Sequence, residues 1–104
     1  MSVPVQITYR QLPASESLDT CIREEADALA SLAGEVRSCH VVVELAHLHP
    51  RRFHIRVHLS ARAGEVDVTH TPTEIQEDAG ACIRAAFDVA RRQLQSQSQR
   101  QRAV

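Results

Sequence analysis

Residues 53–62 read FHIRVHLSAR, and this segment decides the fold because it has the clearest apolar–polar alternation in the chain. One row of side chains is apolar and the other is polar. The apolar row is Phe53, Ile55, Val57, Leu59 and Ala61, and the polar row is His54, Arg56, His58, Ser60 and Arg62. A period of two predicts a β-strand with one buried and one exposed face.

Two further strands flank this segment in the sequence. Residues 37–46 alternate in the same way, with Val41 and Val43 on the apolar side. Residues 66–71 follow a predicted hairpin turn at residues 63–65. Because the connections between these three strands are short, we expect the strands to run antiparallel.

The first third of the chain predicts a strand followed by a helix. In residues 3–10, apolar residues again alternate with polar ones. The first helix is predicted from about Ser15 to Ala33, with Ser15 as its N-cap. Gly34 is placed to end this helix, because glycine is common just after a helix C-terminus.

The last third of the chain predicts a second amphipathic helix, from Thr73 to Leu94. Its apolar side chains recur at spacings that place them on one face: Ala79, Ile83, Ala86, Ala90 and Leu94. Its start is either a capping box at Thr73-x-x-Gln76 or a position near Glu77. Arginine side chains off the apolar face can point away from a sheet on which the helix packs.

The predicted order is β-α-β-β-β-α, an α+β fold. The first two strands are separated by a helix, so they can lie parallel. Two helices on one face of a four-stranded sheet would leave the other face open and polar. We expect a single domain over residues 1–96 and a disordered polar tail rich in arginine and glutamine over residues 97–104.

Charge is unevenly distributed along a chain that is nearly neutral. The sequence has 12 basic and 13 acidic residues, and every basic residue is arginine. Residues 80–104 hold five arginines against one aspartate, and residues 46–63 hold four arginines and no acid. Residues 16–35 hold six acids against one arginine. A neutral protein with such patches can orient on a phosphate surface, although arginine usage is also typical of a GC-rich genome.

Metal binding and catalysis are both disfavoured by the spacing of the candidate residues. His54 and His58 share a sheet face but lie about 13 Å apart along the strand. His47 and His49 fall in a loop, and no acid or cysteine is near enough in sequence to complete a ligand set. No nucleophile elbow, phosphate-binding glycine loop or paired-carboxylate motif occurs. We therefore predict a protein that is not an enzyme and holds no metal or cofactor.

The cysteines and the apolar segments favour the cytoplasm. Cys21, Cys39 and Cys82 cannot all pair and form no CxxC motif, so we expect buried, reduced thiols. The apolar runs are too short to cross a bilayer, and residues 1–10 lack the features of a signal peptide. We predict a cytoplasmic protein with no membrane partner and no small-molecule substrate.

The arginine clusters make RNA the first ligand to consider. Folded RNA is recognised through several spaced contacts to phosphates and 2′-hydroxyl groups. The candidate contacts are Arg84, Arg91 and Arg92 in the second helix and Arg51, Arg52 and Arg56 around the third strand. A purely structural role stays open, because Arg84 and Asp88 are four residues apart and can pair on a helix.

Six segments, in this order and spacing, follow the pattern of a known family. They are Gln6–Arg10, Ile22–Glu24, Cys39–Glu44, Phe53–Leu59, Glu77–Asp78 and Ile83–Leu94. By these segments the chain resembles the ribosome hibernation-promoting factors and ribosome-associated inhibitors, also called sigma-factor modulation proteins. We expect a short form of that family, without the additional C-terminal domain of long members.

This resemblance implies a fold similar to double-stranded-RNA-binding domains and a translation inhibitor without catalytic activity. It implies binding to ribosomal RNA in the decoding region of the small ribosomal subunit, where the protein would block the tRNA and mRNA sites of quiescent cells. It also implies RNA contacts at Arg92 in the second helix and Arg23 in the first. Two features depart from the family's pattern: the first helix is acidic, and Gly80 replaces a tyrosine.

A second function class stays open beside the first. The open sheet face or an edge strand could serve a protein-interaction module that forms a homodimer. A ribosome-binding short form needs no dimer, so we expect a monomer or a weak homodimer.

Overall fold

The computed structural model describes residues 3–33, 36–47, 52–62, 64–71 and 78–102. The elements are β1 (Val5–Arg10), α1 (Glu16–Ala33), β2 (Val36–His47), β3 (Arg52–Ala61), β4 (Gly64–His70) and α2 (Ala79–Arg102). The predicted β-α-β-β-β-α order and α+β class are confirmed. The likeness to double-stranded-RNA-binding domains stays a prediction.

The four strands form one sheet in the order β1-β2-β3-β4. Strand β1 pairs parallel to β2, because α1 provides the crossover that a parallel pair requires. Strands β2, β3 and β4 pair antiparallel, as their short connections predict. In this register His40 of β2 lies directly opposite His58 of β3.

The core lies between the two helices and the apolar face of the sheet. Alternate residues of the central strand β3 are buried, namely Phe53, Ile55, Val57, Leu59 and Ala61. From α2 they meet Cys82, Ile83, Ala86, Phe87, Ala90 and Leu94, and from α1 Ile22, Ala26 and Leu29. The predicted apolar rows of β3 and α2 are therefore confirmed, except that Ala79 is only half-buried.

Helix α1 begins where the sequence predicts. The Leu18 amide donates a hydrogen bond to Ser15 Oγ at 3.3 Å, and the Asp19 amide donates to the Ser15 carbonyl at 2.9 Å. Ser15 is thus the N-cap that satisfies one of the free amides of the first turn. The predicted stop at Gly34 lies outside the described residues.

Helix α2 begins later than its first predicted start. The Ala81 amide donates to Asp78 Oδ1 at 2.8 Å, and the Cys82 amide donates to the Asp78 carbonyl at 3.1 Å. Asp78 is not helical and acts as the N-cap. An unbroken helix from Thr73 is therefore wrong, and the alternative start near Glu77 lies close to the observed one. The proposed capping box at residues 73–76 lies outside the described residues.

Helix α2 extends through Arg102, although a disordered tail was expected from Gln97. Leu94 is the last buried residue of α2 among the described side chains, and Gln97 Nε2 then donates to the Glu65 carbonyl at 3.0 Å. Glutamine and arginine have good helix propensity, so the helix can continue past the core. In the described part of the chain, neither helix combines the length and the apolar composition of a membrane span.

Cys21, Cys39 and Cys82 form no disulfide with one another. Cys39 and Cys82 are buried as expected, whereas Cys21 is only half-buried. Burial raises the pKa of the Cys39 thiol to about 12, so this thiol stays protonated at neutral pH.

Candidate nucleic-acid interface

Helix α2 carries three of the predicted RNA contacts on its outward side. Arg84, Arg91 and Arg92 are exposed, while the apolar face of the same helix is buried in the core from Cys82 to Leu94. The core therefore fixes the helix that holds these guanidinium groups. They form one continuous surface, which we call the α2 arginine surface.

One carboxylate forms ion pairs with two of these arginines. Arg91 Nη2 donates to Asp88 Oδ1 and Arg92 Nη2 donates to Asp88 Oδ2. The expected alternative, a pair between Arg84 and Asp88, does not form, because both oxygens of Asp88 face the arginines that follow it. The arginine side chains remain 49% and 71% exposed, so phosphate groups can still reach them.

Arg84 has no carboxylate partner among the described residues. Its guanidinium lies over Gly80, where an added Cβ would come within 3.5 Å of Arg84 Nη1 and 3.2 Å of Asp78 Oδ1. The contact with Arg84 would be an ordinary van der Waals contact, whereas the contact with Asp78 would be tight. Glycine at this position therefore leaves the carboxylate that caps α2 undisturbed.

A groove of about 440 Å³ separates α1 from the α2 arginine surface. Its floor is apolar, formed by Leu29 and Phe87, which are almost fully buried. Its lining residues are Glu25, Ala28, Leu29, Arg84, Phe87, Asp88 and Arg91. The α2 side is the basic wall, and Glu25 makes the α1 side acidic.

Arg23 lies apart from the α2 arginine surface. Two residues along a helix correspond to about 200° of rotation, so Arg23 points away from the groove that Glu25 lines. On that side, Tyr9 donates hydrogen bonds from its hydroxyl to the Ser15 carbonyl at 3.1 Å and to Asp19 Oδ1. Burial and the Asp19 hydrogen bond raise the pKa of Tyr9 to about 12, and the nearby charge of Arg23 opposes this shift.

The predicted arginines of the third strand lie on the opposite side of the sheet. Arg52 and Arg56 are exposed and share the polar row of β3, which faces away from both helices. Arg56 donates to Asp67 twice, from Nε to Oδ1 at 3.2 Å and from Nη2 to Oδ2 at 2.8 Å. This pairing raises the pKa of Arg56 and lowers that of Asp67. Arg51 lies outside the described residues.

The structure therefore divides the sequence-predicted contacts among three surfaces. Arg84, Arg91 and Arg92 come together on α2, Arg23 lies on the far flank of α1, and the β3 arginines lie on the open sheet face. The alternation of β3 predicts the last of these placements, because the helices must cover the apolar row and leave Arg56 on the other side of the sheet.

The open sheet face carries several histidines for which the sequence predicts no function. His40 Nε2 and Thr8 Oγ1 are hydrogen-bonded at 3.0 Å, and His54 Nδ1 and Thr71 Oγ1 at 2.8 Å. His58 Nε2 lies 3.6 Å from a Glu65 carboxylate oxygen. Within the described ranges, no three histidine, cysteine or acidic side chains are grouped so that they could hold a metal ion.

Comparisons with known proteins identify relatives of this fold. The chain matches the model of the family described as Sigma 54 modulation protein / S30EA ribosomal protein over residues 5–102. The crystal structure of the N-terminal domain of Protein Y from Thermus thermophilus aligns with a TM-score of 0.69 at 18% identity, covering 90% of this chain and 96% of that chain. A ribosomal subunit interface protein from Coxiella burnetii aligns with a TM-score of 0.71 at 10% identity, with the same two coverages of 90% and 96%. No curated protein matches the chain.

Proposed function

The chain belongs to the Sigma 54 modulation protein / S30EA ribosomal protein family, and from this premise we propose that it is a ribosome-associated translation inhibitor of the cytoplasm. It binds the decoding region of the small ribosomal subunit through arginine contacts to ribosomal RNA. It catalyses no reaction and requires no cofactor. It inhibits by occupying the sites that tRNA and mRNA use in an active ribosome.

The observation that carries this proposal is the excess of arginine on α2. Three exposed guanidinium groups face outward, and Asp88 is the one carboxylate that pairs with any of them in the described chain. Ion pairs at an exposed helix surface are weak and screened by salt. Phosphate groups can therefore displace Asp88 without a large loss of stability.

The binding energy comes mainly from phosphate neutralisation. Each arginine that contacts a phosphate releases condensed counterions, so the affinity falls steeply as the salt concentration rises. Arginine also binds phosphate in a bidentate manner, which fixes the orientation of the protein. A rigid helix with three such groups suits a folded RNA, whose shape is read through several spaced contacts.

Helix α1 orients the protein through repulsion. Glu24 and Asp27 are exposed on its outer side, and Glu25 lines the groove. The carboxylates of Glu24 and Asp27 disfavour phosphate on the outer side of α1, so RNA approaches from the α2 side. We therefore rank the α2 arginine surface first and treat the remaining candidates as peripheral contacts: Arg23, Arg51, Arg52 and Arg56.

Co-sedimentation with purified small ribosomal subunits tests the proposal. The double variant Arg91→Glu with Arg92→Glu should lose binding at a salt concentration where the unchanged protein co-sediments. The matched control is Arg37→Glu with Arg62→Glu, which makes the same change in charge at exposed positions off α2. If the α2 variant co-sediments as well as the control does, α2 is not the contact surface.

A homodimer through β1 is a second candidate, favoured by the contrast between the two sheet edges. The free edge β1 has half-buried apolar residues and a single charge at Arg10, whereas β4 carries exposed Glu65 and Asp67. Charged side chains on an edge strand discourage pairing with another sheet, so β1 is the edge open to a second copy. Sedimentation equilibrium distinguishes the candidates, because the ribosome-binding function does not require a dimer.

A further inference from the structure

The open sheet face presents four planar side chains side by side. His54, Arg56 and His58 follow one another at alternate positions of β3, about 6.6 Å apart along the strand. His40 lies on β2 directly opposite His58. Both strands are central in the sheet, so these groups occupy the middle of the face.

Contacts with neighbouring strands restrain each of these groups. Thr8 holds the His40 ring, Thr71 holds the His54 ring, and Asp67 holds the Arg56 guanidinium with two hydrogen bonds. His58 lies beside Glu65 and its side chain is 40% exposed. Restrained planar groups lose little conformational entropy when another planar ring packs against them.

A shallow depression of about 220 Å³ adjoins the His40–His58 pair at one end of this face. Its lining residues are Pro4, Val5, Gln6, Ser38, Cys39, His40 and His58. This volume is below the about 300–1,000 Å³ of typical small-molecule sites. It suits one planar ring inserted beside the two imidazoles rather than a whole metabolite.

The chemistry of the face favours a nucleic acid over a protein partner. Val42 is the one apolar side chain among the paired residues of the central strands β2 and β3 that lie on this face, and it is half-buried. Protein interfaces are centred on large apolar or aromatic anchors, which are missing here. Histidine rings and arginine planes are instead side chains on which the bases of single-stranded RNA stack.

The face is electrostatically balanced, so stacking must supply the binding energy. Within the strands, the arginines of this face are matched in number by its acids: Arg10, Arg52 and Arg56 against Glu44, Glu65 and Asp67. Arg62 lies beyond the end of β3, in the turn that follows it. Few counterions would be released when RNA binds here, which predicts a weak dependence on salt. This property separates the open face from the α2 arginine surface.

We propose that the open sheet face is a second RNA site, which binds single-stranded RNA by stacking bases on His40, His58 and Arg56. A four-stranded sheet with planar groups on its central strands is an established geometry for such recognition. The sheet lies between this face and α2, so RNA on one surface does not block the other. The proposal is independent of the ribosomal role of α2.

Fluorescence anisotropy with a short fluorescein-labelled oligoadenylate tests the proposal on the full chain. The unchanged protein should bind it with an affinity that changes little between about 50 mM and 200 mM salt, a range over which phosphate-driven binding weakens severely. His58→Ala and His40→Ala should each weaken binding at least about fivefold, the lower limit for one lost stacked base. His58→Phe should retain binding, because phenylalanine keeps a ring without the ring nitrogens.

The control variants separate this site from α2 and from misfolding. Arg91→Glu with Arg92→Glu should leave oligoadenylate binding unchanged, and His58→Ala should leave co-sedimentation with small subunits intact. Unchanged thermal unfolding of the histidine variants would exclude loss of the fold. The proposal is overturned if the oligonucleotide does not bind, if the alanine variants bind normally, if His58→Phe fails as His58→Ala does, or if the histidine variants disrupt self-association instead.

Discussion

The outward face of α2 and the open face of the sheet both carry exposed arginines, but the two faces differ in how many carboxylates pair with those arginines. On α2, two arginines share Asp88 and a third has no carboxylate partner among the described residues. On the sheet, one arginine, Arg56, pairs with one carboxylate, Asp67, through two hydrogen bonds. Counted along the sequence, the arginines make both regions equally basic. When the ion pairs are included, α2 keeps a net positive charge, whereas the arginines of the sheet face are balanced by acids.

Because of this difference, we expect the two faces to bind RNA through different interactions and with different salt dependence. Binding at α2 should fall steeply with salt, because unneutralised guanidinium groups release counterions from RNA. Binding at the sheet face should depend on ring stacking. Because arginines and acids are balanced there, few counterions would be released and the affinity should change little with salt. The comparison can be tested by changing the shared scaffold, then each face alone.

The largest expected effect comes from the core that both faces share. Leu59→Ala removes a fully buried side chain from β3 and should lower the free energy of unfolding by about 2–5 kcal/mol. Urea denaturation measures this change. Ser60→Ala, next to it on the open face, should stay within about 0.5 kcal/mol. If both variants were equally stable, β3 would not be the central support of the two surfaces.

The start of α2 gives the next largest effect. Asp78→Ala removes the side-chain oxygen that accepts the Ala81 amide, and should lower the free energy of unfolding by about 1 kcal/mol. Asp27→Ala removes an exposed carboxylate within α1 and serves as the control. Thermal unfolding of both variants measures the difference. Equal stability of the two would contradict the capping role of Asp78.

The fold follows from the sequence because its signals are local. Alternation in β3, the N-cap at Ser15 and the apolar row of α2 are all determined by residues within a few positions of each other. The start of α2 was harder to predict, because a capping box at Thr73 and a start near Glu77 both fit the sequence. The hydrogen bonds in space, and not the residue types, select Asp78.

The candidate site was less predictable because it depends on partners. Asp88 can pair with Arg84 before it or with Arg91 and Arg92 after it, and side-chain rotamers decide between them. Pairing across strands likewise brings Asp67 to Arg56, which is 11 residues away in sequence. The sequence therefore predicts which face of β3 carries Arg56, but it does not predict which carboxylate pairs with each arginine.

Removal of the shared carboxylate should sharpen the contrast between the two faces. Asp88→Asn frees Arg91 and Arg92 and removes one negative charge, which should tighten binding to small subunits by about fivefold at low salt. Stability should fall by less than about 1 kcal/mol, because exposed helix pairs are weak. Co-sedimentation titrations measure the change in affinity. Glu65→Gln makes the same charge change on the opposite side of the sheet. If it tightened binding equally, the effect of Asp88→Asn would come from net charge alone.

The smallest effect concerns the ion pair on the open sheet face. Arg56 holds the pKa of Asp67 below its ordinary value, so the folded chain binds this proton less readily than the unfolded chain. The stabilisation is therefore present above the ordinary carboxylate pKa of about 3.9 and is lost as the pH falls through the lowered pKa of Asp67.

Both partners are exposed, at 58% and 45% of their side-chain area, so we expect only a small difference in urea midpoint between Asp67→Asn and the unchanged protein at neutral pH. This difference should vanish in strong acid, where Asp67 is protonated in both the folded and the unfolded chain. Thr69→Ala, opposite Arg56 on β4, carries no charge and should show a midpoint difference that does not vary with pH. A difference for Asp67→Asn that persisted in acid would mean that the pair does not act through charge, and the electrostatic balance assigned to the open face would be wrong.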